Sequence, residues 1–235
     1  ECAGGAAAFI VEPLVLGAGG MLMYPPAVLA KMRAICARHG TLFIADEVMT
    51  AWGRTGTLTA CEQADVAPDI MCLSKGLTGG AMPLAVTMAS EPIWDAHYST
   101  DRTRTFYHSS SYTANPVACA AANANLAIWR EEPVPERIAA LAAKQQAHLD
   151  ALAEHAMVRN ARRCGTIAAL ELGDPGGSYL SDLGPKLLRR FREADLLLRP
   201  LGNTVYVMPP YCIEDDDLAR IWAEIGTAAD AIAAD

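Results

Sequence analysis

No uninterrupted apolar run in the chain reaches the roughly 18 residues that a membrane-crossing helix needs. Positive charge is also short. Nineteen lysines and arginines stand against 27 aspartates and glutamates, a formal charge of −8, so a polyanionic partner such as nucleic acid finds no basic footing. Aromatic residues make up only 6% of the chain, whereas apolar residues reach 52%, much of that alanine; this balance argues for closely packed helices rather than a thick aromatic core. The seven cysteines, at positions 2, 36, 61, 72, 119, 164 and 212, are scattered and form no C-x-x-C pair. Reduced, mostly buried thiols in a cytoplasmic chain are the expectation. An initiator methionine and a basic leader are missing too. The chain opens Glu1-Cys2-Ala3-Gly4-Gly5 and passes at once into the apolar run Ala6 to Val11, a start open to an intact domain and equally suited to a chain cut from something longer.

What is present alternates between apolar runs and periodic segments. Residues 7 to 11 read as a strand ending at Glu12-Pro13, followed by the glycine-rich loop Gly17-Ala18-Gly19-Gly20. Pro26 opens a helix to His39, with Val28, Leu29, Met32, Ile35 and Cys36 on one stripe and Gly40 as its stop. The runs 41–45, 69–73 and 84–88 read as strands covered on both faces, so the predicted fold class is α/β with a mostly parallel sheet. Asn115 caps, and Pro116 starts, a helix to about residue 130. Pro133 and Pro135 mark a predicted domain boundary. Beyond it a smaller α/β domain is expected, with helix 136–155, strand 165–172, helix 181–194, short strands near 196–199 and 204–208, and a last helix from Asp215. The triplet Asp215-Asp216-Asp217 suits the positive end of that helix better than it suits a metal.

The chemistry concentrates between Phe43 and Pro83. Asp46 directly follows one apolar strand, and Lys75 follows the next almost as closely. In an open parallel sheet ligands bind at the carboxyl ends of strands, so one crevice receives a carboxylate and an amine. Alone, such an aspartate is usually a turn residue and such a lysine a solvated one; Gly76, Gly79 and Gly80 after the lysine favour the functional reading.

Four segments then carry a resemblance: Phe43-Ile44-Ala45-Asp46-Glu47-Val48, Gly53-Arg54-Thr55-Gly56, Pro68-Asp69-Ile70 and Leu73-Ser74-Lys75-Gly76. In this order they are similar to the signature of the class III aminotransferases, and the likeness continues through Ser111-Tyr112 and Asn115-Pro116 over essentially the whole chain. The resemblance implies a fold type I pyridoxal-phosphate-dependent transferase. Residues 1–132 would be the later part of its large domain and 133–235 its small C-terminal domain, with the earlier part of the subunit preceding residue 1. Lys75 would hold the aldehyde of pyridoxal 5′-phosphate as a Schiff base, and Asp46 would pair with the pyridine nitrogen. Val48, on an extended segment past Asp46, would press against the ring. In the hydroxyl-rich loop 108–113, Ser111, with Ser110 beside it, would reach the cofactor phosphate of a neighbouring subunit, which implies a homodimer. Glu12 and Arg54 would lie near the substrate or cofactor. Trp52 departs from the family's usual phenylalanine before the Gly-Arg-Thr-Gly turn.

The segments Leu198-Arg199-Pro200-Leu201-Gly202 and Val205 to Tyr211, together with Cys119 to Ala127, resemble the branch of the family that serves biotin synthesis. By that resemblance Arg199 would bind a substrate carboxylate and Tyr206 would line the pocket, between an amino donor, S-adenosylmethionine, and a keto-acid acceptor. Without the family, Arg199 reads as a surface residue and Tyr206 as part of an amphipathic strand. Two alternatives stay open: an ω-amino-acid, ornithine or acetylornithine aminotransferase, and a non-catalytic piece acting in subunit association.

Overall fold

In chain order, strands β1 (Ala8–Val11), β2 (Val15–Leu16) and β3 (Leu22–Met23) precede helix α1 (Pro26–His39). Strands β4 (Leu42–Asp46), β5 (Ile70–Leu73) and β6 (Val86–Ala89) follow, then helices α2 (Glu91–His97) and α3 (Pro116–Glu131). The rest is α4 (Val134–Ala153), β7 (Val158–Cys164), β8 (Ile167–Leu172), α5 (Leu183–Glu193), β9 (Thr204–Val207) and α6 (Asp215–Ala234). This computed structural model describes residues 5–173 and 180–234. The chain divides into two units. One holds residues up to Leu14, Tyr24–Trp52 and Thr57–Val134; the other holds Val15–Met23, Gly53–Gly56 and the residues from Pro135 onward.

The first unit is built on a four-stranded sheet in the order β1-β4-β5-β6. Strands β1, β4 and β5 run parallel, whereas β6 returns antiparallel to β5, with Leu73 opposite Val86. Phe43 and Ala45 of β4 are fully buried, whereas Leu42, the first residue of the strand, is exposed. The expectation of strands covered on both faces therefore needs correction: β6, an edge strand, is exposed along its whole length. Helix α1 starts and stops where its sequence dictates, with Pro26 in the first turn and Gly40 left-handed at φ 65°. Arg33 on α1 grips both oxygens of Asp69 at 3.1 Å, and one of those oxygens takes the Phe43 N–H at 2.7 Å. Helix α1 is thereby tied to the entry of β5 and to β4.

The second unit carries the antiparallel sheet β7-β8-β9. Leu170, Leu172, Phe191, Val205, Trp222 and Ile225 are among the side chains forming its core. The boundary expected at Pro133 and Pro135 falls where the two units divide, between Val134 and Pro135, and Pro135 sits in the first turn of α4, where its missing N–H has no helical partner to lose. Two other features depart from expectation. Strand β7 was not foreseen, because Val-Arg-Asn-Ala-Arg-Arg-Cys lacks apolar alternation. Arg162 instead satisfies itself on the carbonyls of Gly20 and Met21 and on Glu171. The run Leu196 to Arg199 forms no strand: the Leu196 N–H closes onto the Phe191 carbonyl at 2.8 Å and Leu197 is 99% exposed. The cysteines are also less buried than expected. Of the described ones, all free, only Cys36 and Cys61 are buried; Cys212 is exposed.

Candidate active site

Asp46 is the last residue of β4 rather than the first beyond it, and it pairs in register with Cys72 of β5. Its Oδ1 accepts the N–H of Val48 at 3.2 Å, which closes a tight turn after the strand. Val48 accordingly lies in a turn, not on the extended segment expected of it. Burial and then the charge of Asp46 push the Cys72 thiol up, so the carboxylate is felt across the ladder.

From Cys72 the chain reaches Lys75 through Leu73 and an extended Ser74. Lys75 is exposed and opens a 3-10 turn, Lys75–Thr78, with a left-handed φ of 45°. A non-glycine residue in that region stores strain and persists only where neighbours hold it. Gly76 is needed for another reason: a Cβ there would meet the Trp52 side chain at 2.6 Å. Ser74 donates its hydroxyl to the Leu84 carbonyl at 2.7 Å, and Asn125 of α3 donates to the carbonyls of Gly76 at 2.9 Å and Leu77 at 3.2 Å.

Glu47 has a role that the sequence does not announce. It is fully buried beside Asp46, taking the Thr50 hydroxyl at 2.5 Å and the Cys61 N–H at 2.8 Å. Burial, followed by this carboxylate's charge, drives the Cys61 thiol up. Glu47 thus pins the turn that carries Val48. A glutamate closing an apolar run was the only signal available for it.

Glu12, half-buried, directly follows β1, and its backbone carbonyl accepts the Tyr24 hydroxyl at 2.8 Å; burial pushes that phenol up to about 12. Ser110 and Ser111 are exposed in the loop before α3, where Ser110 Oγ accepts the Tyr112 N–H at 3.4 Å. These residues belong to the first unit.

Arg54, Arg199 and Tyr206 belong to the second. Arg54 donates from Nη1 to the Pro209 carbonyl at 2.5 Å and lies 4.7 Å from the centre of the Tyr211 ring. Its own carbonyl accepts the Thr166 N–H at 2.9 Å and the Thr166 hydroxyl at 3.2 Å. Burial lowers the pKa of its guanidinium. Tyr206 is half-buried on β9 opposite Ala169, and Arg199 is exposed in the segment leading to that strand.

A carboxylate ending β4 and an amine just past β5, both at the carboxyl side of a parallel pair, suit a cationic ring nitrogen and a carbonyl carbon. The left-handed, braced backbone at Lys75 is the strain expected where a reactive side chain must be aimed. The residues present therefore fit pyridoxal phosphate.

Comparison with known proteins gives the family. The profile of the family Aminotransferase class-III matches residues 3–228. The adenosylmethionine-8-amino-7-oxononanoate aminotransferase of Synechococcus elongatus is 46% identical over 98% of this chain and 54% of its own length. Its counterpart from Geobacter sulfurreducens is 38% identical over 92% of this chain and 49% of its own length. The chain thus spans about half the length of the curated relatives it matches. Among solved structures, the omega transaminase of Pseudomonas jessenii in complex with PMP superposes with a TM-score of 0.87 at 30% identity, covering 96% of this chain and 51% of that one. A PLP-bound amine transaminase from an uncultivated Pseudomonas species gives 0.86 at 33% identity, covering 96% and 52%. By profile, sequence and structure together, this chain belongs to the class III aminotransferase family.

Proposed function

We propose that this chain supplies the reacting lysine and its electrostatic partner to a pyridoxal 5′-phosphate-dependent transamination in biotin synthesis. The amino group of S-adenosylmethionine would pass to 8-amino-7-oxononanoate, giving 7,8-diaminononanoate. The observation that carries this reading is the placement of Asp46 and Lys75 at the carboxyl side of the paired strands β4 and β5. The names of the relatives at 46% and 38% identity support the substrate pair.

When bound, pyridoxal phosphate supplies an aldehyde that exchanges amines and a ring that accepts electrons from the substrate Cα–H bond. Asp46 keeps the ring nitrogen protonated by placing a negative charge beside it. Lys75 would hold the cofactor's aldehyde and, with its amine freed by the substrate, would carry the proton between the substrate Cα and the cofactor carbon. Val48 offers the ring an apolar face from the turn after β4. Arg199 presents a planar, two-donor fork to the far carboxylate of the acceptor. Tyr206, Glu12 and Arg54 would join it in binding the substrate.

Ser110 and Ser111 hold the phosphate of a neighbouring subunit's cofactor, so a site needs two chains and the protein works as a homodimer. The apolar side chains of Phe106, Tyr107 and Tyr112, each more than two-thirds exposed around those serines, support a covering partner. Residues 1–132 serve as part of the large domain and 133–235 as the small one. A cytoplasmic setting accords with the free thiols of the described cysteines.

A second reading has its own support. The omega and amine transaminases among the superposed structures favour an ω-amino-acid substrate.

The test uses the intact protein, including any polypeptide that accompanies these residues. Pyridoxal phosphate followed by borohydride should fix the cofactor on Lys75, as found by peptide mapping. Lys75→Ala should lose the label and slow single-turnover amination by roughly a thousandfold or more, with little change in the thermal midpoint. A label on another lysine, or near-normal turnover of the variant, would sink the assignment.

A further inference from the structure

The strained backbone at Lys75 calls for something that holds it, and the α3 side chain that bonds the carbonyls of the next two residues has no assigned role. We propose that Asn125 is a positioning residue for Lys75, through the two hydrogen bonds its amide makes to the carbonyls of Gly76 and Leu77. This inference rests on the reading of Lys75 as the reacting lysine.

The turn is pinned from several sides, and Trp52 and Asn125 act on it from far along the chain. Locally, the Leu77 N–H bonds the Ser74 carbonyl at 2.9 Å, and the N–H groups of Gly79 and Gly80 bond the carbonyls of Gly76 and Lys75. The Thr78 hydroxyl reaches the Met82 carbonyl at 2.6 Å. These bonds close the turn on itself but do not set its direction against the rest of the unit. Trp52 limits it on one side, because it fills the space where Gly76 would carry a Cβ. Asn125 is the tether from α3: one nitrogen donates to two successive carbonyls directly after Lys75. With Gly76 and Leu77 fixed, Lys75 keeps its left-handed φ of 45° instead of relaxing to an ordinary turn.

The residue type is what this task requires. Two donors on one planar nitrogen serve two acceptors at once. An aspartate has the same shape but would set a negative charge against two carbonyl oxygens. Helix α3 does not need the amide in order to dock, since Ala122 is buried in a cluster with Ala51, Trp52 and Leu77, with Leu126 and Trp129 packed against it. Packing and aiming are therefore separable.

Asn125→Asp and Asn125→Ala in the intact protein test this. Both should keep the thermal midpoint close to that of the parent. In cofactor-free protein, the amides of Gly79 and Gly80 should exchange with deuterium faster while those of β4 and β5 stay unchanged. Affinity for pyridoxal phosphate, read by borohydride fixation on Lys75, should fall about tenfold, with Asp the worse of the two. Unchanged exchange and labelling in both variants would overturn the positioning role. So would a uniform loss of protection and midpoint across the unit, which marks a merely structural residue. Failure of the parent protein itself to label at Lys75 would instead remove the proposed function, and this inference with it.

Discussion

The proposed carboxylate-binding role of Arg199 is what separates the two substrate classes. It is exposed and stands ahead of the strand that carries Tyr206, so its guanidinium has the freedom to meet a ligand. A carboxylate far from the reacting ketone is bound equally in ground and transition states. Losing that contact raises KM more than it lowers kcat. Arg199→Ala should raise KM for 8-amino-7-oxononanoate by roughly a hundredfold, and Arg199→Lys by less, because an ammonium lacks the planar fork. Single-turnover measurement of each half-reaction separates this from the donor's own carboxylate. An unchanged KM and rate in Arg199→Ala would move the substrate to the ω-amino-acid class.

Two buried arrangements carry elements of the second unit. Gln145 of α4 is fully buried, donates to the carbonyls of Thr166 and Val207 at 3.1 Å and accepts the Trp222 indole N–H at 2.8 Å. One amide thus joins α4, α6 and the sheet. Gln145→Leu leaves buried polar groups without their partner and should cost about 2–4 kcal/mol, read as a lower denaturant midpoint. A loss below about 0.5 kcal/mol would mean that other groups replace the amide. At the β7–β8 turn, Gly165 has φ 57°, and a Cβ there would lie 2.2 Å from the Thr55 carbonyl carbon and 2.4 Å from the Arg54 oxygen. These are backbone atoms that cannot swing aside. Gly165→Ala should therefore cost about 3 kcal/mol or more, and a thermal midpoint within a degree of the parent's would contradict the close approach. Because the neighbouring Thr166 holds the Arg54 carbonyl, the same change should also displace Arg54.

For the whole molecule the question is how many chains make one site. If Ser111 serves the cofactor of a neighbouring subunit, mixed dimers report it. A Ser111→Ala defect placed on the chain that lacks Lys75 should weaken cofactor binding at the intact Lys75 of the other chain, by roughly tenfold for a lost hydrogen bond to a charged phosphate. A defect that follows the chain carrying both Lys75 and Ser111→Ala would place the hydroxyl in its own subunit's site.

The sequence by itself determined the pieces that local physics governs. Pro26 and Gly40 bound α1, Asn115 with Pro116 starts α3, and apolar runs ending in Asp46 and Leu73 put a carboxylate and a lysine at neighbouring strand ends. Each follows from backbone dihedrals, capping and period, which a few adjacent residues set. Tertiary structure alone decided the rest. The arginine-rich β7 becomes a strand because distant carbonyls and Glu171 satisfy Arg162. The leucine run at 196–198 stays out of the sheet because α5 ends on it, and Glu47 and Asn125 find their roles only through Cys61 and the turn after Lys75. Those outcomes depend on hydrogen-bond partners far along the chain, and no local pattern encodes such a partner.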